Sequence, residues 1–272
     1  MNTGAPARAA LLLGLALAAA TLVDRLAAGV EATPSTSRSV RLDHVVDLTH
    51  SLSEATPFIP VPGITFPFKM TPIATIEAHG VAAYRWEIHE HIGTQIDAPS
   101  HFFADGRSIE AIEAGRLIAP LVVIDIRARV LRDPDTAVTV ADVLAWEKAH
   151  GRIPRGAAVF MWSGWDARIG DSRAFLNADA HDTLHFPGFS AEVAAFLASE
   201  RDVAGLGVDT LSLDPGVDKA YRAHKAWLAT GKWAVEVVAS LAQVPASGAT
   251  VFVGAVKVKG ATGGPVRLLA VW

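Results

Sequence analysis

The 272-residue chain contains no cysteine. Disulfide frameworks, thiolate metal sites and thiol nucleophiles are excluded together, so any metal must be held by nitrogen and oxygen donors. Charge is sparse as well. Charged residues make up 19 %, the formal net charge is −4 and no basic cluster occurs, so the electrostatic footprint of nucleic-acid binding is missing. No G-x-S-x-G elbow, Walker A loop or complete G-x-G-x-x-G is present, which withdraws support from serine hydrolases, nucleotide hydrolases and dinucleotide enzymes. His181-Asp-Thr-Leu-His185 has the two-His spacing of a zinc-protease helix. Asp stands where Glu is required, however, and Phe186-Pro187-Gly188 forbids another helical turn, so the segment reads as a loop. A small molecule is the expected partner.

No apolar run reads as a membrane span. The N-terminal run Ala9–Val23 is fifteen residues long, follows Arg8, and is ended by Asp24 and Arg25. Small residues around Val30-Glu31-Ala32 suit a signal peptidase. Residues 1–32 therefore read as a secretory signal peptide or an N-terminal anchor, which implies export to the periplasm or the exterior. About half of the chain is apolar. No repeat, linker or composition break divides residues 40–272, so they are expected to form one domain.

Within that domain, Leu121–Ile126, Ala157–Trp162 and Val203–Val208 are continuous apolar runs, as in strands buried on both faces. Thr139-Val-Ala-Asp142 and Ser190-Ala-Glu-Val193 each open a helix. Ala234–Val238, Ala249–Val258 and Val266–Trp272 again have strand character. This alternation points to an α/β domain.

The chemistry is concentrated in His89–Phe103, which holds three His, an Asp, a Glu and a Gln among Ile, Ala and Phe. Tyr84–Ile88 reads as a strand, from which His89 and His91 would project to one face. Gly93-Thr94 breaks that pattern, and Pro99 denies Ala98 a helical conformation. His91, Gln95, Asp97 and His101 are thus expected on a strand end and an irregular loop that can fold several polar groups onto one point. Imidazole and carboxylate are ligands for Zn²⁺ or Mn²⁺, and a neutral imidazole also carries protons. Far downstream, Glu236 lies between Val235 and Val237. A carboxylate so placed is rarely buried unless paired or metal-bound.

The run His91-Ile-Gly-Thr-Gln-Ile-Asp-Ala-Pro-Ser-His101 resembles the signature H-x-G-T-[HQ]-x-D-x-P-x-H of the metal-dependent cyclase family, which includes bacterial kynurenine formamidase and isatin hydrolase. The likeness extends over residues 44–272. It takes in Asp47–His50, Trp162–Trp165, Phe186–Ser190, Gly207–Asp214 and the twelve-residue interval from His224 to Glu236.

The resemblance implies a compact α/β domain with a β-barrel-like core, flanking helices and assembly as homo-oligomers. It implies that His91, Asp97, His224 and Glu236 are metal ligands, with Gln95 a further ligand and His101 the proton donor and acceptor. One or two divalent ions, Mn²⁺ or Zn²⁺, are expected per chain. Gln95 stands where dizinc formamidases carry His, and its neutral, harder oxygen favours Mn²⁺. Ile59 stands where kynurenine formamidases place a substrate-stacking Trp.

The expected activity is metal-dependent hydrolysis of a small cyclic or aryl amide, lactam, lactone or ester, with Ile59, Phe103 and Trp86 as candidate substrate contacts. Trp162 and Trp165 are further candidates, although core packing is the simpler reading of each. The alternatives are an exported protein that captures a small ligand on the same fold, and a lyase or cyclase using the same metal.

Overall fold

The computed structural model describes residues 40 and 42–272, and the signal or anchor segment expected at residues 1–32 lies outside them. Three apolar strands lie side by side and parallel: β5 (Ile118–Asp125), β7 (Ala158–Trp162) and β9 (Gly205–Val208). β10 (Trp233–Glu236) continues the parallel set beside β9. On the other flank, β11 (Ala249–Ala255) pairs antiparallel with β5, and β12 (Gly263–Val271) pairs antiparallel with β11.

The short β4 (Gln95–Asp97) then bonds to both β10 and β12, closing a seven-stranded ring in the order β12-β11-β5-β7-β9-β10-β4. β1 (Val45–Asp47) pairs with Leu269–Val271 of β12, beyond the Gly263–Pro265 stretch that meets β4, and β6 (Ala137–Val138) and β8 (Gly188–Phe189) form a separate parallel pair. The expected barrel core with flanking helices is therefore present.

Side-chain alternation splits each central strand between two apolar clusters. On β5, Leu121 and Val123 join Phe160, Trp233, Val251 and Leu268. Val122 and Ile124 face the other way, toward Trp146, Val193, Leu197 and Trp227 of the helical layer. Glycine makes room for the rings: a Cβ on Gly205 would lie 2.2 Å from the Trp233 indole, and one on Gly207 would lie 2.5 Å from the Phe160 ring.

The helices begin where the sequence signals them. Thr139 and Asp142 form a reciprocal capping box on Val140–His150, and Ser190 Oγ accepts the Val193 N–H at the start of Ala191–Glu200.

One expectation needs correction. The strand expected over Tyr84–Ile88 exists as β3 (Ala83–Glu87), but among the described residues it pairs only with β2 (Lys69–Ala74), in a two-stranded arm apart from the ring. The strand ends before His89, so His89 lies in the irregular connection and His91 in the bend that follows, and they do not project from a common strand face.

Candidate metal centre

The centre is built around β4. Gln95 and Asp97 are two apart on this strand and so point to the same side. Across the ladder Glu236 pairs with Gln95, which brings its side chain onto that side too. His224 arrives on the buried face of helix Arg222–Leu228. His91 comes from the bend before β4, and His101 from the 3₁₀ turn Pro99–His101, where Pro occupies the first position and Ala98 stays extended.

These segments meet closely. His91 Nδ1 is 2.8 Å from Asp97 Oδ1, and His224 Nε2 is 3.3 Å from Asp97 Oδ2 and 3.2 Å from Glu236 Oε1. The donor atoms of Asp97, His224 and Glu236 all lie within 4.8 Å of one another, as do those of His91, Asp97 and His101. Asp97 belongs to both groups. The His101 ring stacks on His91 with centroids 3.8 Å apart.

Neighbouring residues orient the cluster. Gln95 Nε2 donates to Glu236 Oε2 at 2.7 Å, and the Leu213 N–H donates to Glu236 Oε1 at 2.9 Å. Asp214 accepts from the Ala223 N–H and lies 2.6 Å from His224 Nδ1, which leaves His224 Nε2 facing Asp97 and Glu236. Sequence reading assigned Asp214 no role, because its partner lies on another element.

The motif's Gly-Thr has a local cause. Gly93 has φ +67°, and Thr94 Oγ1 donates at 2.7 Å to the carbonyl of Val237. Val237 itself sits at φ +54°, a strained conformation for a β-branched residue, immediately after Glu236.

Electrostatics match the geometry. Burial opposes charge on His224, yet hydrogen bonds to Asp214, Asp97 and Glu236 raise its pKa well above 6.5. His91 is raised in the same way, with burial opposed mainly by Asp97. Burial alone would raise Asp97, but hydrogen bonding to His224 and His91 holds it well below the usual carboxylate range. Glu236 is raised by burial and by the charge of Asp97. His101 is lowered to about 4, first by burial and then by the neighbouring imidazoles, with Asp97 opposing.

The donor set fits a divalent cation. Two carboxylates and two imidazoles converge, and the same carboxylates that raise the imidazole pKa values would favour a cation among them. One further observation is independent of that balance. Among the described residues Gln95 Oε1 is buried with no hydrogen-bond partner, an orphan oxygen that a cation would satisfy. The donors are nitrogen and oxygen only, which suits Mn²⁺ and Zn²⁺ alike.

Comparison with known proteins agrees with the motif. The family model "Cyclase" matches residues 46–215. The chain belongs to the Cyclase family. The isatin hydrolase of Roseibium aggregatum is 33 % identical over 245 residues, covering 83 % of this chain and 90 % of that protein. A solved isatin hydrolase bound to the product analogue thioisatinate superposes with a TM-score of 0.79 at 31 % identity, covering 84 % of this chain and 91 % of that one. Isatin hydrolase A from Ralstonia solanacearum gives 0.79 at 32 % identity and covers 99 % and 98 %. The cluster thus lies in a fold shared with hydrolases.

A cavity of about 520 Å³ opens onto the cluster, walled by Phe58, Ile59, Phe102, Leu211 and Tyr221. Ile59 is one of its walls. Phe103 and Trp86 are not. Phe102 takes the wall, with its ring 4.9 Å from that of His224; both phenylalanines pack on the helical-layer core, but Phe103 does not reach the cavity. Trp86 is 65 % exposed on the arm and lines a separate cavity with Phe68, Met70 and Leu52. Both displacements follow from local geometry: the turn after Pro99 sends adjacent residues in different directions, and β3 belongs to the arm. Trp165 is buried and donates its Nε1–H to the Phe175 carbonyl, a core role.

Proposed function

We propose that this chain is a metal-dependent hydrolase that opens a small cyclic or aryl amide, with His101 as the proton carrier. The observation that carries the reading is the convergence of Asp97, His224 and Glu236 on one point at the floor of an apolar-walled cavity that His101 also lines. The named activity of the isatin hydrolases supports the amide class, and lactones and aryl esters are close chemical variants of it.

His91, Gln95, Asp97, His224 and Glu236 would hold the cation. Bound there, a divalent cation lowers the pKa of water toward about 7 and polarises a carbonyl oxygen. Phe58, Ile59 and Phe102 enclose the ring of the substrate and keep bulk water away. His101, unprotonated near neutral pH, accepts the proton of the attacking water and delivers it to the departing nitrogen or oxygen. The water oxygen joins the carbonyl carbon as the C–N or C–O bond breaks, so one water is consumed per turnover. Mn²⁺ is favoured over Zn²⁺ by the Gln95 oxygen. Export, supported by residues 1–32, and assembly as a homo-oligomer complete the proposal.

The test is a screen of isatin, N-formyl arylamines, aryl lactones and aryl esters against metal-loaded protein. His101→Ala is expected to lose turnover by about 10²- to 10⁴-fold while keeping its metal. Asp97→Ala is expected to lose both. Full activity in the Asp97 variant, or in metal-stripped protein, would overturn the reading.

A further inference from the structure

Glu90 and Thr262 lie beside His91 at the rim of the centre. Thr262 precedes the first residue of β12, and its carbonyl accepts the Ala98 N–H at 2.8 Å just after β4. Glu90 lies in the bend beside His91. Its Oε2 accepts two hydrogen bonds from Thr262, one from the backbone N–H at 3.0 Å and one from the hydroxyl. The same hydroxyl oxygen is 3.1 Å from His91 Nε2.

A threonine hydroxyl has one proton to give. Here it is committed to the Glu90 carboxylate, so toward His91 Thr262 Oγ1 can only accept. His91 Nε2 must therefore carry the hydrogen. The lone pair of a neutral His91 is then left on Nδ1, the nitrogen that faces Asp97 Oδ1. A hydrogen bond across that 2.8 Å needs a second proton on the ring, and a cation held between the Nδ1 lone pair and the carboxylate would take that proton's place.

We propose that Glu90 and Thr262 are a positioning pair that fixes His91 in its Nε2–H tautomer and so dedicates Nδ1 to the metal. The pair mirrors the role of Asp214 on the opposite side, where His224 Nδ1 is engaged and Nε2 faces the cluster. The two imidazoles thus present opposite ring nitrogens to the same carboxylate. The ring has little freedom besides this. Gly263 lies against its Cε1 edge, and His101 stacks on its face.

The proposal rests on the cluster being a cation site, and one preparation tests the two ideas separately. Parent protein labelled with ¹⁵N-histidine is loaded with Zn²⁺, and its two-bond ¹H–¹⁵N spectrum is recorded alongside a chelator-competition titration. The expected spectrum has His91 protonated at Nε2 and ligated through Nδ1. Thr262→Val removes the acceptor with little change of volume and is expected to weaken Zn²⁺ binding by about 10- to 100-fold, whereas Thr262→Ser restores it. A pair that only staples the bend to β12 would lower thermal stability in Thr262→Val and leave zinc affinity untouched, and that result overturns the proposal. So does ligation of His91 through Nε2, which the parent spectrum decides even if the valine variant fails to fold. A parent that takes up neither Zn²⁺ nor Mn²⁺ removes the cation reading itself, and this proposal with it.

Discussion

A single methyl group added at Gly263 should disable the metal centre. Gly263 opens β12 and pairs with Asp97. A Cβ built there would lie 2.5 Å from His91 Cε1, 2.6 Å from the Ile96 carbonyl oxygen and 3.0 Å from His91 Nδ1. Carbon–carbon contacts settle near 3.5–4.0 Å, so the imidazole would have to retreat by about 1 Å. The Ile96 carbonyl belongs to the closing strand and cannot yield without breaking the ring. Overpacking of this kind costs about 1–3 kcal/mol. The larger effect is on binding, because ligand distances tolerate only about 0.2 Å.

Thermal or denaturant unfolding of Gly263→Ala and parent, with and without cation, reads both effects. At a free cation concentration about 100 times the parent Kd, the parent gains about 2.7 kcal/mol, whereas a variant bound about 100-fold more weakly gains about 0.4 kcal/mol. A variant whose stability rises with cation as much as the parent's would refute the argument that His91 has nowhere to go.

Asp214→Asn puts an amide NH₂ against either His224 Nδ1 or the Ala223 N–H. It should cost about 1–3 kcal/mol of stability and about 10- to 100-fold in cation affinity, measured by denaturation and chelator competition. His91 and His224 both have pKa values raised above 6.5, so cation uptake near pH 7 should release protons, and affinity should strengthen as pH rises; calorimetry in buffers of different ionisation enthalpy checks this. The sign for stability is the reverse in the cation-free protein: the protonated imidazoles contribute fully below pH 6.5, and that contribution fades as pH climbs through their raised folded-state values. Trp86→Ala should leave kcat and KM unchanged, because its side chain lies outside the cluster's cavity, whereas Ile59→Ala should raise KM by about tenfold through lost apolar contact.

Much of the α/β architecture was legible because buried parallel strands announce themselves as unbroken apolar runs, and because Thr139 and Ser190 cap as their sequences suggest. Ring closure was not legible from pattern. β4 is three residues long and its ladder partners lie more than a hundred residues downstream, so only the family resemblance pointed to a barrel. At the centre, the close spacing of His91, Gln95, Asp97 and His101 was visible, and Glu236 stood out as a carboxylate between valines. Asp214, Glu90 and Thr262 were not singled out, since their significance lies in contacts between elements. Substrate walls were the least readable. An aromatic beside a motif looks the same in sequence whether its ring meets the cavity, as Phe102 does, or the core, as Phe103 does.

The shortest strand of the ring is both its clasp and its richest source of ligands. Were β4 to detach, β10 and β12 would each expose a row of unpaired backbone groups, turning an edgeless cylinder into an open ribbon prone to pair with other chains. A cation gripped from β4 by Gln95 and Asp97, and from beyond it by Glu236 and His224, would hold that clasp shut. Starving such a protein of metal should therefore show first as clumping of the chain, ahead of any wholesale loss of its helices.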